Sequence, residues 1–426
     1  MSKFIVDGGV ALRGEIEPAG NKNEALPIVA ATLLTREPVM IDNIPGIGDV
    51  KTLIELLEIC GVSVSWENNC LQVQAAKLTK TDLPPEYCTR IRGSILLLAP
   101  FLSRCGRVRL PLPGGDRIGR RRIDSHLLGL QLMGAEVALE DDCIHLWSTQ
   151  RLHGADILLD EASVTATENL VMAASLADGV TVLRNAASEP HVQQLCHLLN
   201  QLGANISGIG SNVLTIEGVE ELHGGQHRIA ADYLEVGSFI GLTAVTRGEL
   251  LIRKAAPEYM RMILHQFSRL GIEVEVRGED IWVPSNQPLT AKADFNSPLV
   301  KIDDSPWPAF PADMMSIAVI IATQTQGTVM IFEKMFESRL FFVDRLIGMG
   351  ANIILCDPHR AVVVGPTPLR GRVMSSPDIR AGMALLTAAL CAEGRSEIQN
   401  IEQIDRGYER LDERLAALGA HIRRED

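Results

Sequence analysis

The spacing of apolar residues in this chain changes period at regular intervals. Six times, apolar positions spaced as on one helix face close at a glycine, and alternation typical of a strand follows: Leu56 to Ser65, Leu127 to Leu139, Leu195 to Ile206, Ile263 to Val276, Val343 to Leu355 and Leu411 to Arg423. The glycines, Gly61, Gly134, Gly203, Gly271, Gly350 and Gly419, lie 73, 69, 68, 79 and 69 residues apart, so six units of one design fill the chain. Glycine suits that position because a helix that stops and turns back commonly ends on a left-handed residue. Half a unit out of phase, Ala/Leu/Ile-rich helices run into short strands, for instance Ala25 to Ile44, Gly93 to Leu112 and Gly382 to Ile401. Each unit therefore predicts helix, strand, helix, strand and a further strand such as Leu71 to Val73 or Ala361 to Val364.

The sixth unit runs out of chain before its last strand. Residues 1–20, with Phe4 to Val6 and Leu12 to Ile16, read as a hairpin-like segment outside any unit, and they are expected to supply that strand and close the chain on itself. With three units per domain, one domain is expected at residues 21–228 and the other at residues 1–20 plus 229–426; the break falls in a polar stretch around Gly224 and Gly225.

Composition narrows the functional classes. An apolar content of 46% with only 4% aromatics fits aliphatic α/β packing. The longest apolar runs, such as Ser94 to Leu102, fall short of the ~20 residues a membrane helix needs, and Met1-Ser2-Lys3-Phe4 opens no signal-peptide core. A cytoplasmic enzyme without membrane insertion is expected. Eight scattered cysteines and no clustered histidines predict neither a metal site nor disulfides. A net charge of −13 argues against nucleic acid as a partner. Against that acidity, Arg117, Arg120, Arg121 and Arg122 crowd a segment that follows Pro113-Gly114-Gly115, the mark of a mobile loop after a strand.

Polar residues fall at one end of the units. Ahead of the first helix of successive units come Lys22-Asn23, Arg90 with Arg92, Ser163 to Thr167, Asp232 with Glu235, Asp313, and Asp378 with Arg380; the loops after each unit's first predicted strand add Asp49, Asp116 with Arg121, Glu189, Pro257, Arg339 and Arg406. Helix starts expose unpaired amides and a partial positive charge. Acidic side chains there are ordinary caps, and Asp232, Glu235 and Asp378 read as such. Lys22, Arg92, Arg380 and Arg406 gain nothing from the dipole, so their natural counterparts are phosphate or carboxylate groups of a ligand, held in a cleft between the two domains.

Six blocks in order carry a family resemblance: Gly20-Asn21-Lys22-Asn23, Pro113-Gly114-Gly115-Asp116-Arg117-Ile118-Gly119, Ser188-Glu189-Pro190, Pro308-Ala309-Phe310-Pro311-Ala312-Asp313-Met314, Phe336-Glu337-Ser338-Arg339 and Ile404-Asp405-Arg406-Gly407-Tyr408-Glu409. Over essentially its whole length the chain resembles the enolpyruvyl transferases. The resemblance implies a two-domain inside-out α/β barrel of six βαβαββ repeats, three per domain, with helices inside and sheets outside. It implies transfer of the enolpyruvyl group of phosphoenolpyruvate to the 3-hydroxyl of UDP-N-acetylglucosamine with release of phosphate, the first committed step of peptidoglycan synthesis. No cofactor is implied, and a monomer or weak homo-oligomer is expected. A paralogue with another acceptor, or an inactive regulatory one, is the alternative.

Carried over residue by residue, the resemblance makes Lys22, Arg92, Arg121, Arg339, Arg380 and Arg406 the cations around phosphoenolpyruvate. Asp313 becomes the general base beside the sugar hydroxyl, which Asn23 also holds. Arg92, Arg121, Arg122, Ile123, Asp124, Ser163, Val164, Thr165 and Met335 face the UDP-sugar. Residues 111–123 become a lid carried by the first domain. Asp116 is the departure: many members have there a cysteine that serves as general acid and is alkylated by the epoxide fosfomycin. A carboxyl is ionised at neutral pH where a thiol is not, so Asp116 is expected to take up its proton only in the closed complex. A carboxylate is also the weaker nucleophile, which predicts insensitivity to the epoxide.

Overall fold

A computed structural model describes residues 2–116, 118–297 and 299–425. Its strands fall into six small sheets with one wiring rule. In the third unit, strand Asp156–Leu158 runs parallel to Val180–Arg184, which pairs antiparallel with Val213–Glu217, which pairs antiparallel with Asn205–Ser207. The other sheets repeat this order, except that in the sheet of Arg107–Pro111 the outer parallel position is taken by an isolated bridge between Asp82 and Arg109. These are βαβαββ units, the α/β repeat expected from the apolar pattern.

The two helices of a unit differ in kind because they bury different fractions of their surface. The first helix is enclosed on every side: every residue of Tyr233–Val245 is buried. The second is amphipathic: in Pro257–Arg269 only Met260, Ile263 and Phe267 are buried, the spacing of a single helical stripe. Strands such as Val180–Arg184 bury alternate residues and leave the rest outward. Within each unit group, the first helices therefore form the centre and the sheets the shell.

The chain divides into two compact bodies, residues 20–115 with 121–230, and residues 1–19 with 116–120 and 231–426. Each has its own apolar core. The opening residues correct one expectation. Lys3–Asp7 does supply the last strand of the sixth unit, lying antiparallel between Arg395–Gln399 and His421–Glu425. It forms no hairpin with Arg13–Ile16, which joins the fourth unit's sheet in parallel with Glu249–Ile252. The reason is local: the amides of Gly8 and Gly9 bond the carbonyls of Gly394 and Leu390, and a Cβ on Gly8 would stand 2.2 Å from the Ala389 carbonyl oxygen. The chain is thus drawn across the end of helix Ile379–Cys391 instead of turning back. Gly225–Arg228 closes the first sheet in the same manner, parallel to Val39–Asp42. The segment 111–123 also differs from expectation, since residues 116–120 group with the later body.

All six glycines of the repeat adopt positive φ. Gly271 (φ +81°) adds a steric demand, because a Cβ there would lie 2.3 Å from the Thr290 amide nitrogen, whereas around Gly419 (φ +94°) there is open space. Gly419→Ala is expected to lose about 1 kcal/mol, the left-handed backbone term alone. Gly271→Ala is expected to lose about 3 kcal/mol or more, because overpacking adds to it. Urea-unfolding midpoints of the two variants check the ranking; equal losses would show that the repeat glycines serve backbone conformation only.

Candidate active site

In the body of residues 20–115 and 121–230, Asn21 caps helix Lys22–Ala31, its Oδ1 accepting the Glu24 amide at 3.0 Å. The next residue, Lys22, is buried, and its Nζ stands 2.8 Å from Asp49 Oδ2 in the first turn of helix Gly48–Ile59. A buried ammonium at a helix start opposes the dipole, and Asp49 supplies the charge that holds it there. Asn23 follows on the same turn, half-buried.

Arg92 opens a 3₁₀ turn that has no side-chain cap. Its Nη2 donates to the carbonyls of Arg121 at 2.9 Å and Arg122 at 3.2 Å. Burial, then the charge of Arg121, pull its pKa down to about 10, which leaves it a cation at neutral pH. Wholly buried His126 bridges Asn169 Nδ2 at 2.9 Å and Thr165 Oγ1 at 3.1 Å. Burial and the nearby Arg92 push this imidazole down to about 3, so it orients Thr165 as a neutral ring. Ser163 caps helix Val164–Ser175 through the Ala166 amide, with Val164 and Thr165 in its first turn. Arg122 bonds Asp160 at 2.6 Å and Asp124 at 3.2 Å. Ile123 precedes helix Asp124–Leu132.

In the body of residues 1–19, 116–120 and 231–426, Asp313 sits in the 3₁₀ turn Ala312–Met314. Its Oδ1 accepts from Arg339 Nη2 at 3.0 Å and its Oδ2 from Arg380 Nε at 3.1 Å. The two arginine side chains are only 3% and 7% exposed and the carboxylate 27%, so Asp313 is the accessible member of the trio. Arg380 also donates to Tyr408 Oη at 3.3 Å and lies over its ring. Burial disfavours the Arg380 charge, yet Asp313, Tyr408 and Asp232 raise its pKa above the ordinary guanidinium value. Arg406 Nη1 donates to Gln403 Oε1 at 2.7 Å and to Asp116 Oδ1. The segment after Asp116 is held on the loop of Arg339: Ser338 N donates to Ile118 O at 3.0 Å, and Arg120 N to Glu337 Oε1 at 2.9 Å. Arg117 lies outside the described residues. Met335 is 39% exposed, its amide donating to Glu333 Oε1.

Asp232 and Asp378 act as caps, each accepting two helix amides. Glu235 departs from the capping expectation: it accepts Arg414 Nη1 at 2.6 Å and the Ala19 amide at 2.7 Å. The cations assigned to ligand anions, Lys22, Arg339, Arg380 and Arg406, each meet a carboxylate of their own body, because a charge removed from water needs a partner. Trp307 lies edge-on to Tyr233 with centroids 6.1 Å apart. His126, Asn169, Asp304 and Glu333 carry no mark in the sequence pattern, and Tyr408 stands there only within a motif block; all five act through contacts that no spacing encodes.

The profile of the EPSP synthase (3-phosphoshikimate 1-carboxyvinyltransferase) family matches residues 6–415. A UDP-N-acetylglucosamine 1-carboxyvinyltransferase of Bradyrhizobium diazoefficiens is 56% identical over 99% of this chain and 98% of its own length. Enzymes of the same name from Borrelia garinii subsp. bavariensis and Treponema pallidum are 54% and 51% identical, covering 100% of this chain and 99% and 100% of theirs. Among solved structures, the enolpyruvyl transferase NikO from Streptomyces tendae superposes with a TM-score of 0.89 at 26% identity, covering 99% of this chain and 98% of its own. EPSP synthase from Acinetobacter baumannii superposes with a TM-score of 0.76 at 16% identity over 100% of both chains, a likeness of fold. With a family profile along nearly its whole length and relatives that share half or more of its residues, the chain belongs to the EPSP synthase (3-phosphoshikimate 1-carboxyvinyltransferase) family.

Proposed function

We propose that this protein transfers the enolpyruvyl group of phosphoenolpyruvate to the 3-hydroxyl of UDP-N-acetylglucosamine, releasing phosphate in the first committed step of peptidoglycan synthesis. The names and full-length identity of the relatives support the substrates. The observation that carries the chemistry is Asp313, an accessible carboxylate clamped between two buried guanidiniums. Arginines on both oxygens fix the orientation of a carboxylate that is to accept a proton.

The reaction is addition followed by elimination. Asp313 takes the proton of the sugar hydroxyl, whose oxygen attacks C2 of phosphoenolpyruvate, while Asp116, which takes up a proton only once the anionic substrate is enclosed, delivers it to the C3 methylene. In the resulting tetrahedral ketal, Asp116 takes back a proton from the methyl group as phosphate leaves with the proton that Asp313 had accepted, which restores the enol ether and both carboxyls. Lys22, Arg92, Arg121, Arg339, Arg380 and Arg406 hold the trianionic substrate as its charge redistributes, a task suited to fixed cations away from water. Asn23 holds the hydroxyl and the intermediate. Arg92 and Arg121 to Asp124, the helix start at Ser163 to Thr165, and Met335 take the UDP-sugar, with helix amides facing the diphosphate. Arg406 is bonded to Asp116, so the guanidinium that receives the substrate also positions the acid. Among the described residues no helix is long and apolar enough to cross a membrane, and phosphorylated substrates suit a cytoplasmic enzyme.

Phosphate release from phosphoenolpyruvate is expected to require UDP-N-acetylglucosamine; acceptor-independent or absent release would overturn the assignment. Asp313→Asn is expected to lower kcat by about 10²- to 10⁴-fold, the range for loss of a general base, with the circular dichroism spectrum unchanged. Fosfomycin is expected to leave activity and mass unaltered in the protein as it stands. Asp116→Cys is expected to gain time-dependent inactivation with one adduct on the segment 111–123. An adduct on the unsubstituted protein would contradict the assigned role of Asp116.

A further inference from the structure

The parallel strands Val300–Asp303 and Gly327–Phe332 run in register, Asp303 opposite Phe332. The residues that follow them, Asp304 and Glu333, therefore emerge side by side, on neighbouring strands of one sheet. Both residues are wholly buried. Each commits one oxygen to the backbone: Asp304 Oδ1 accepts Lys334 N at 2.6 Å, and Glu333 Oε1 accepts Met335 N at 3.1 Å and Phe336 N at 3.0 Å. The other two oxygens, Asp304 Oδ2 and Glu333 Oε2, have no hydrogen-bond partner among the described residues.

The cation facing them is Arg339. Its Nε stands 3.6 Å from Glu333 Oε2, too far for a good hydrogen bond, while its Nη2 holds Asp313 at 3.0 Å. The other charged or titratable groups around the pair are already engaged. His359 Nδ1 bonds the Glu333 carbonyl at 2.7 Å, Lys334 and Lys301 pair with Asp303, and Asp378 acts on Arg339 from a distance while capping its own helix. Two buried carboxylates ionised together would repel across a short gap, with one guanidinium already shared with Asp313 to offset them. One proton between them gives both leftover oxygens a partner and leaves a single negative charge towards Arg339.

We propose that Asp304 and Glu333 share one proton and act together as positioning residues for Arg339 and for the turn Lys334–Phe336 that presents Met335. The inference rests on the proposed function for the roles of Arg339 and Met335 but not for the proton itself. Burial, with Asp304 alongside, pushes Glu333 up to about 9. The folded pair thus keeps a proton that ordinary carboxyls of the unfolded chain have released by neutral pH. Its contribution to stability is fullest below the ordinary carboxylate range and declines as pH rises towards that value. Loss of the proton adds a second negative charge beside Arg339 and draws its guanidinium away from Asp313.

Two measurements test this, the first without any substrate. In weakly buffered solution at pH 7, unfolding by denaturant is expected to release one proton more from the protein than from Asp304→Asn, whose amide supplies the donor permanently; equal release overturns the shared proton. In the second, the KM for phosphoenolpyruvate is expected to rise about tenfold as the pair titrates, the effect of one pKa unit of coupling, with kcat changing less. In Asp304→Asn that rise is expected to vanish while neutral-pH KM is preserved, and in Asp304→Ala the neutral KM is already raised. A KM profile identical in the protein and Asp304→Asn overturns the positioning role. Were the substrates different ones, the kinetic arm would be silent and the proton count would still decide.

Discussion

A helix buried on every side carries polar residues most readily in its first turn, where the backbone itself needs partners. That constraint organises both bodies. Helices such as Tyr233–Val245 and Met315–Gln324 are packed among apolar neighbours, where an unpartnered polar group would cost a few kcal/mol. At their starts the backbone itself has amides to satisfy. Asn21, Ser163, Asp232 and Asp378 meet that need as caps, and the two starts without a capping side chain, at Arg92 and Ala312, tighten into 3₁₀ turns. Lys22, Arg380, Arg92 and Asp313 stand among these same residues, so chemistry collects where the fold already tolerates polarity.

Charge at those starts is balanced locally. Lys22 rests on Asp49, Arg406 on Asp116, and Arg339 and Arg380 on Asp313. A cation withdrawn from water needs a partner, and a carboxylate of the same body fills that role. The carboxylates differ in exposure: Asp49 is 4% exposed and Asp313 27%. This separates a carboxylate suited to holding a cation from one open to reaction.

The repeat was legible because it is written in two periods, 3.6 and 2, punctuated by glycines with positive φ. Strands of three or four residues, such as Asp156–Leu158 and Gly225–Arg228, are too short for alternation to register, so these outer parallel strands went unread. The false hairpin at the start arose because proximity in sequence suggests pairing, while Gly8 fits against the end of helix Ile379–Cys391. In the candidate site, residues at helix starts were readable as charge out of place. Asp304 with Glu333 was not, since their meeting depends on the register of strands about thirty residues apart, and Asp116 grouping with Arg406 depends on contact across the chain.

The strand Lys3–Asp7 has a bearing on the order of folding. It lies between Arg395–Gln399 and His421–Glu425, and residues 20–115 and 121–230 form a separate body that comes between these segments in sequence. Lys3 meets Glu397 across 394 residues of chain, so this sheet closes through some of the most distant contacts the chain makes, the kind that form slowly because loop closure must come first. Until then both edges of the strand are bare, and bare edges recruit stray strands. Lys3 and Asp7 put a charge at either end of the strand, a guard against pairing with other chains before its own partners arrive.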